Sequence, residues 1–394
     1  MKTLEYDLAI AGGGIIGLCT AFVAARHGLK VIVLERETAP GKRASWAGAG
    51  MLNLRPWPKK DLTHPDYQDL MAASIQLHAR WAGELRAETG MDVGYLNCGA
   101  LEIFSQKRMD TEGANFQRRI EGARERKVVV EPLTVEEARR MEPHVNFGDA
   151  VAVLHYPQDG QVRNPWLTRT LHAACEKRGV VFKTGAEVKT FEFERSRASA
   201  LVLTTGEKIY ARNYALCTGA WSGLFPELGE RSPRVSKIEP VRGQLAYFET
   251  RPGLSSRLLL EGHHYLVPRA DGVYLAGATT ERVGFVKETT PQGQQKLRDF
   301  AMELLPGLKD SKEVRGWADF RPGLKGRHPL LGPVPGYSNV LIGAGHYRNG
   351  VGLGPISGQI LGDLAAGKPP QIDISPWVPE SGAAYGGSDE FEEH

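Results

Sequence analysis

The 394-residue chain lacks the features of a secreted, membrane-spanning or metal-binding protein. Its 4 cysteines are far apart and form no CxxC pair, so the sequence supports neither a zinc site nor a disulfide framework. No apolar run approaches the roughly 20 residues needed to span a bilayer. Glu5 and Asp7 interrupt the N-terminus where a signal peptide would be apolar. We therefore expect free thiols in a reducing cytoplasm, no membrane partner and no bound metal.

Neither sign of charge dominates the sequence. The net charge is +3 and no lysine- or arginine-rich block stands out, so nucleic acid is not an expected partner. Hydrophobic residues make up 41% of the chain and charged residues 24%, which is the balance of an ordinary globular protein. At roughly 100–200 residues per domain, the chain accommodates two or three domains.

The stretch of residues 6–35 carries the clearest pattern. An apolar run at 8–11 predicts a buried strand, and the pattern G-x-G-x-x-G follows from Gly12 to Gly17. Apolar residues at helical spacing come next, and a β-branched run at 31–34 ends on Glu35. Strand, glycine turn, helix, strand and terminal acid together predict a βαβ unit that binds an adenine dinucleotide. The alternative is a glycine-rich turn in an ordinary α/β domain.

Each part of this unit has a physical role. Gly12 permits the tight turn, Gly14 lets a pyrophosphate approach the backbone, and Gly17 lets the helix pack closely on the strand. The helix N-terminus then faces the phosphates with free N–H groups and a positive dipole end. Glu35 is placed to accept hydrogen bonds from a ribose 2′-OH, and its charge disfavours the 2′-phosphate of NADP.

Three later segments predict further parts of the same site. Residues 43–52 are mostly small and suit a backbone that lies against a flat cofactor ring, with a close helix crossing as the alternative. An apolar run at 214–221 ends in a small-residue turn, which suggests a strand whose C-terminal end meets the ligand. Residues 340–355 form a strand pattern and a glycine-dense turn before a helix at 356–366. A sheet that begins at residue 6 and is completed by 367 must have the intervening segments inserted into it.

The remaining secondary structure follows from periodicity and turn signals. Helices are predicted at 66–88, 109–127, 166–178 and 291–305, and another begins after Thr134, where Glu137 completes a capping box. Residues 55–65 are predicted to form a loop. Strands are predicted at 95–104, 180–182, 187–194, 200–204, 208–210, 238–248, 258–260, 265–268 and 273–276.

Six motifs resemble one family, the D-amino-acid-oxidase-like flavoproteins, and within it most closely the glycine oxidases of the thiamine pathway. The resemblance spans nearly the whole chain, to about residue 367. Its motifs are GGGIIG at 12–17, AGAGML at 47–52, PVRGQ at 240–244, YLVPR at 265–269, FRPG at 320–323 and GHYRNG at 345–350.

The resemblance implies an α/β fold with an α+β second domain: a Rossmann-like FAD-binding domain is interrupted by a substrate domain whose sheet covers the flavin. We predict that the FAD-binding domain comprises residues 1–90, 150–225 and 325–375, and the substrate domain 91–149 and 226–324. Residues 376–394 are rich in glycine, proline and acid and are expected to be a poorly ordered tail.

Three candidate catalytic residues are carried over from the resemblance. Arg321 is similar to the family's carboxylate-binding arginine, which suits a planar guanidinium that binds carboxylates bidentately; a surface arginine in a loop is the alternative. Tyr265 is similar to its substrate-contacting tyrosine. Arg348 either touches the substrate or only shapes the glycine turn with its backbone. Trp46 and Thr280 depart from the family pattern and put the pocket volume in doubt.

The implied cofactor is FAD, bound noncovalently because no cysteine is placed as in the members that attach flavin covalently. Three histidines near the motifs, His263, His264 and His346, are interpreted as structural, because hydride transfer from a neutral amine needs no side-chain base. The predicted cofactor contacts are Gly12, Gly14, Ile15, Ile16, Gly17, Glu35, Arg36, Ser45, Ala47, Gly48, Gly50, Met51, Val188, Thr218, Gly219, Trp221, Arg321, His346, Arg348, Asn349, Gly350 and Val351.

The activity implied is FAD-dependent oxidative deamination of glycine and other small amines or D-amino acids. Hydride transfer to flavin N5 would give an imine that hydrolyses to the 2-oxo acid, with oxygen reduced to H2O2 and a place in thiamine thiazole biosynthesis. The alternatives are a D-amino-acid dehydrogenase, a sarcosine-type oxidase, or an FAD-binding structural or assembly protein without turnover. Association into a homo-oligomer is left open.

Overall fold

The computed structural model describes residues 5–54, 56, 66–324 and 329–379. Most of the predicted loop at 55–65 and the chain from 380 onward lie outside the described residues. The strands are β1 Tyr6–Ala11, β2 Val31–Glu35, β3 Met51–Leu52, β4 Ala100–Ser105, β5 Glu131–Leu133, β6 Ala150–Tyr156, β7 Gly160–Gln161, β8 Val181–Thr184, β9 Val188–Glu194, β10 Arg197–Leu203, β11 Lys208–Ile209, β12 Ala211–Leu216, β13 Glu239–Glu249, β14 Leu258–Glu261, β15 His264–Pro268, β16 Val273–Gly277, β17 Glu313–Gly323, β18 Leu330–Pro333 and β19 Val340–Ala344.

The α-helices lie between groups of these strands along the chain, and short 3-10 helices occupy Gly219–Leu224, Pro306–Asp310 and Tyr347–Asn349. The α-helices are α1 Ile15–Arg26, α2 Ala44–Ala47, α3 Asp66–Thr89, α4 Gln106–Arg126, α5 Val135–Met141, α6 Asn164–Lys177, α7 Pro226–Gly229, α8 Pro233–Ser236, α9 Pro291–Leu304 and α10 Gly354–Ala365.

The first of two large sheets has six strands in the order β18-β19-β12-β1-β2-β8. Strands β8, β2, β1, β12 and β19 are parallel, and β18 is antiparallel at the edge. Leu8 and Ile10 pack with helices α1, α3, α6 and α10, whereas Ala9 and Ala11 face the three-stranded sheet β11-β10-β9. Both faces of β1 are covered, which is why its sequence is a continuous apolar run rather than an alternating one.

The second large sheet has eight strands in the order β17-β13-β16-β15-β14-β4-β6-β5. One face carries a core with α5 and α9, where Leu297 and Ala301 of α9 are fully buried. On the other face Phe116 of α4 packs edge-on against Phe104, with 5.1 Å between ring centroids. The fold is therefore the predicted mixed α/β architecture, with a parallel dinucleotide-type sheet and a second sheet beside it.

Several boundaries differ from the sequence-based predictions. Strand β6, at 150–156, was expected with the FAD-binding segments but pairs with β4 and β5 in the eight-stranded sheet. The strand predicted at 95–104 begins only at Ala100. Helix α4 begins earlier than predicted because the Ser105 hydroxyl accepts a hydrogen bond from the Arg108 N–H and caps it. The division into domains itself stays a prediction.

Two further local expectations have clear outcomes. The capping box at Thr134 and Glu137 is present, with both reciprocal hydrogen bonds formed. The prediction of a poorly ordered tail from residue 376 was wrong for its first residues. Trp377 is buried, and its carbonyl accepts a hydrogen bond from the Leu331 N–H. The rest of that tail lies outside the described residues.

Candidate active site

Two positions of the turn between β1 and α1 have no room for any residue larger than glycine. Gly12 has φ +101°, and a Cβ there would lie 2.5 Å from the carbonyl oxygen of Cys217, the residue that follows β12. A Cβ at Gly17 would overlap the Gly12 carbonyl oxygen. Gly17 therefore sets the close packing of α1 on the turn, and it does not border the cavity described below.

Gly14 and Glu35 lie where a dinucleotide would need them. The nearest heavy atom to a Cβ at Gly14 would be Ser45 Oγ at 3.3 Å, so the turn leaves its open side to the cavity. The Glu35 carboxylate accepts hydrogen bonds from the Gly13 and Glu37 N–H groups, both at 2.8 Å. These two bonds hold a buried acid at the C-terminal end of β2, on the cavity wall. The residues present thus fit an adenine dinucleotide.

One cavity of about 1000 Å³ runs from the glycine turn to the eight-stranded sheet. All three candidate catalytic residues border it, and so does every predicted cofactor contact except Gly17. These residues come from segments spread along the chain between residues 12 and 351. The ends of the parallel strands bring the segments of the glycine turn, Glu35 and Thr218 together, as expected for ligand sites of open α/β sheets, and the eight-stranded sheet contributes Tyr265 and Arg321.

Arg36 and Trp221 stack on each other and border the cavity near Glu35. The Arg36 guanidinium lies 3.5 Å from the centroid of the Trp221 ring, and Phe285 stacks on the same ring system at 5.1 Å. Burial, together with the charge of Arg43, lowers the pKa of Arg36. Phe285 was not predicted from the sequence, because its contact with Trp221 joins segments 64 residues apart in the chain.

The small-residue segment at 47–52 packs on the start of α6. A Cβ at Gly48 would lie 2.8 Å from Asn164 Nδ2, and one at Gly50 would overlap the Val162 carbonyl oxygen. Arg269, the last residue of the YLVPR motif, secures this packing by donating hydrogen bonds to the carbonyls of Ala49 at 2.7 Å and Val162 at 3.0 Å. The segment also borders the cavity, so both interpretations of its small residues have support. The role of Arg269 was missed, although its place in a motif was a usable signal.

Arg321 and Tyr265 lean toward each other across the eight-stranded sheet. Arg321 lies on edge strand β17 and Tyr265 on β15, while the two strands between them present glycines. A Cβ at Gly243 would lie closer than 3.0 Å to the Arg321 guanidinium, and one at Gly277 would equally overlap the Tyr265 hydroxyl. These glycines let two long side chains lie over the sheet. The surface-loop alternative for Arg321 is wrong, since it lies on a strand.

The charges at this end of the cavity are unbalanced. Arg321 Nη1 donates to the Thr279 carbonyl at 2.9 Å, and Arg348 Nη2 donates to Thr280 Oγ1 at 2.8 Å. Within the described parts of the chain neither guanidinium forms an ion pair with an acid. Burial, then the charge of Arg348, lowers the pKa of Arg321. Burial also raises the pKa of Tyr265, which stays a neutral hydrogen-bond donor at pH 7. Such a site attracts a carboxylate.

The three histidines differ in their surroundings. His346 is buried with its Nε2 2.9 Å from Ser357 Oγ, and burial lowers its pKa to about 3. Burial likewise lowers the pKa of His264 to about 4, although its buried Nδ1 finds no partner among the described residues. His263 is exposed. The structural interpretation fits His346 best, as a neutral histidine bonded to a hydroxyl.

The two departures from the family pattern do not border the cavity among the described residues. Trp46 is 41% exposed and packs on Trp317, with 5.1 Å between ring centroids. Thr280 contacts Arg348 rather than facing the cavity directly. Neither residue therefore reduces the cavity volume.

Taken together, the glycine turn, the acid after β2 and the cavity between two sheets define a dinucleotide-binding oxidoreductase class of protein. The chain belongs to the FAD-dependent oxidoreductase family, whose family model matches residues 7–364. FAD is thus the cofactor of the family, and the residues of the glycine turn fit such a dinucleotide.

Individual relatives match over nearly the whole chain. Glycine oxidase of Pseudomonas aeruginosa is 34% identical over 377 residues, which cover 94% of this chain and 98% of that protein. The bifunctional protein ThiO/ThiG of Trichormus variabilis is 33% identical over 363 residues, or 91% of this chain and 52% of that longer protein. The crystal structure of glycine oxidase from Geobacillus kaustophilus matches with a TM-score of 0.87 at 29% identity, covering 96% of this chain and 99% of that chain.

Among the described residues, each helix falls short of the length or the apolar character that a bilayer span requires. The same residues contain no group of three or more histidine, cysteine or acidic side chains arranged to hold a metal ion. The four cysteines are free thiols.

Proposed function

We propose that the chain is an oxidase of glycine and similarly small amines. The balanced reaction is glycine, oxygen and water to glyoxylate, ammonia and hydrogen peroxide. The observation that carries this proposal is the convergence of Arg321 and Tyr265 over Gly243 and Gly277, which offers a charged fork and a neutral donor to one small carboxylate. The names of the glycine oxidase relatives support the choice of substrate.

The protein's part in the reaction is binding and orientation. FAD, held by the residues that border the cavity, would supply the redox chemistry by which the amine is oxidised and oxygen is reduced. Arg321 fixes the angle of the carboxylate as well as its position, because two parallel N–H bonds define a plane. Tyr265 donates a further hydrogen bond to the same group. Because the carboxylate is held in one place, the substrate's Cα–H bond points in a fixed direction. Part of the binding energy is thereby used to orient the substrate for reaction.

This orientation predicts the enzyme's stereochemical preference. Glycine and sarcosine have a hydrogen in the reactive position whichever way they bind. D-Alanine and D-proline should turn over as well, because one methylene changes binding by only about 1–3 kcal/mol in a fitted pocket. L-Amino acids should be rejected, since their Cα–H would point away from the flavin once the carboxylate is held by Arg321.

The test is a substrate panel on the purified holoenzyme with a peroxide readout. Glycine and sarcosine should bleach the flavin anaerobically, and oxygenated buffer should restore the absorbance with peroxide formed. Flavin that is reduced by glycine but reoxidised only by a quinone or dye would make this the alternative, a dehydrogenase. Reduction by bulky D-amino acids with none by glycine would rule out the substrate assignment.

The carboxylate role of Arg321 has its own test. Removing one partner of a buried, hydrogen-bonded charge pair costs roughly 2–5 kcal/mol, so Arg321→Ala should lower kcat/KM for glycine by about 30- to several-thousand-fold. Arg315→Ala is the matched control, because Arg315 is an exposed arginine on the same strand. If Arg321→Ala stayed within about twofold of the parent, the carboxylate role would be withdrawn.

The cellular role is a further part of the proposal. A cytoplasmic enzyme that uses a small amino acid and oxygen, and that serves synthesis of the thiamine thiazole, is consistent with the ThiO/ThiG relatives. A mutant lacking the gene for this chain should then need added thiazole or thiamine for growth. Growth without either would remove the pathway role and leave the oxidase activity untouched.

A further inference from the structure

Three consecutive residues after strand β16 each contact a different arginine. Thr279 accepts a hydrogen bond through its carbonyl from Arg321, Thr280 through its hydroxyl from Arg348, and Glu281 through its carboxylate from Arg242. We name residues 279–281 the arginine-contacting tripeptide. Two of its three partners border the cavity, and the third does not.

The Glu281 end anchors the tripeptide to strand β13. Arg242 and Gln244 point away from the cavity face of that strand, which carries Gly243 and Leu245. Arg242 Nε donates to Glu281 at 3.0 Å and Gln244 Nε2 donates to it at 2.7 Å. Burial alone would raise the pKa of Glu281, but the hydrogen bonds from Thr279, Arg242 and Gln244 hold that pKa below its ordinary value. A carboxylate with this many donors fixes its segment firmly.

The other end of the tripeptide faces the two site arginines. Arg348 follows Tyr347, a residue with φ +49° in the short 3-10 helix at Tyr347–Asn349, and its long side chain is exposed. The 2.8 Å hydrogen bond to Thr280 Oγ1 is the contact that directs its guanidinium toward the anchored segment. Without it, side-chain entropy and repulsion from the buried charge of Arg321 would both favour conformations in solvent.

We propose that Thr280 is a positioning residue: its hydroxyl holds the Arg348 guanidinium beside Arg321, so that both cations face the carboxylate of one substrate. The identity of that substrate as a small amino acid rests on the proposed function. A hydroxyl suits this task because it accepts a hydrogen bond without neutralising the cation. A carboxylate at the same place would pair with Arg348 and repel the substrate.

The test uses the FAD-loaded enzyme and acetate as the probe, with acetate binding followed by perturbation of the flavin absorbance. Thr280→Val removes the hydroxyl but keeps the branched shape, whereas Thr280→Ser keeps the hydroxyl. Thr289→Val is the matched control, since Thr289 is an exposed threonine in the same connection between β16 and α9. FAD affinity, measured on the apoprotein by flavin fluorescence, should be the same in all four proteins.

Thr280→Val should weaken acetate binding and raise the KM for glycine by about tenfold each, the size of a lost hydrogen bond to a charged group. The change in KM should exceed any change in kcat. Thr280→Ser and Thr289→Val should stay within about twofold of the parent. Thr280→Glu should abolish acetate binding.

Each outcome bears on one of the two proposals. The positioning role would be overturned if Thr280→Val bound acetate within about twofold of the parent. It would also be overturned if Thr280→Ser bound acetate as weakly as Thr280→Val. A parent protein whose flavin spectrum ignores acetate would overturn it too. Acetate binding that depends on Thr280, in an enzyme that does not oxidise glycine, would keep the positioning role and reject only the substrate.

Discussion

Replacing Gly243 by alanine should displace Arg321 without unfolding the protein. An added Cβ would lie closer than 3.0 Å to the guanidinium carbon and both terminal nitrogens, whereas carbon atoms in ordinary contact are about 3.5–4.0 Å apart. The guanidinium must therefore move by about 1 Å, and its 2.9 Å hydrogen bond to the Thr279 carbonyl would be lost or lengthened. Alanine would not strain the backbone, because Gly243 does not have a positive φ.

A misplacement of about 1 Å costs on the order of 100-fold in rate, or about 2.7 kcal/mol of transition-state stabilisation. We expect Gly243→Ala to lower kcat/KM for glycine by about that factor, while Tm stays level or rises, since Gly→Ala reduces the entropy of the unfolded chain. FAD content should equal that of the parent.

Steady-state peroxide assays, the flavin-to-protein absorbance ratio and a thermal melt measure these three quantities. Gly83→Ala is the control, because a Cβ at this exposed position of α3 would meet nothing within 4 Å. Gly243→Ala with parental kcat/KM would refute the reasoning that the glycine exists to seat Arg321. A large drop in Tm would mean that the clash is relieved by the strand rather than by the side chain.

Two further predictions concern the cofactor and the response to acid. Gly14→Val should purify with little FAD, since its side chain would enter the open side of the turn beside Ser45, and full occupancy by absorbance would contradict the pyrophosphate assignment. Burial lowers the pKa of His346 to about 3 and that of His78 to about 4, against about 6.5 in an unfolded chain. Between these values only the unfolded state binds the protons, so the free energy of unfolding should fall from about pH 6.5 to about pH 4, by up to about 1.4 kcal/mol per pH unit per histidine. His78→Gln should flatten this dependence by one proton in denaturant titrations, and equal slopes in the two proteins would reject the contribution of His78.

Local sequence was enough to predict the dinucleotide-binding unit. The apolar runs of β1 and β2, the glycines between them and the terminal Glu35 act within 30 residues of one another, so pattern and spacing carry the information. The same holds for the capping box at Thr134, where the partners are three residues apart. The resemblance of motifs then supplied the family, which lies outside what periodicity alone can indicate.

The residues missed from the sequence are those whose partners lie far along the chain. Nothing local shows that Gly243 makes room for Arg321, because the two residues are 78 positions apart in the sequence and meet only when strands β13 and β17 pair. Residues 150–156 were placed with the FAD-binding segments, whereas strand β6 pairs with β4 and β5, because the sequence of one segment does not specify which strands will be its neighbours.

The sequence by itself therefore predicted the elements and a bound adenine dinucleotide, because hydrophobic period, turn chemistry and glycine spacing operate within one element or one turn. The choice of FAD came from the resemblance of motifs. The tertiary structure alone decided which charges face each other in the cavity. The pairing of Arg348 with Thr280 and the burial that alters the pKa of Arg321 both arise from strand order and packing between segments distant in sequence. Long-range electrostatics depends on distance and burial in the folded chain, and neither is encoded at any single position.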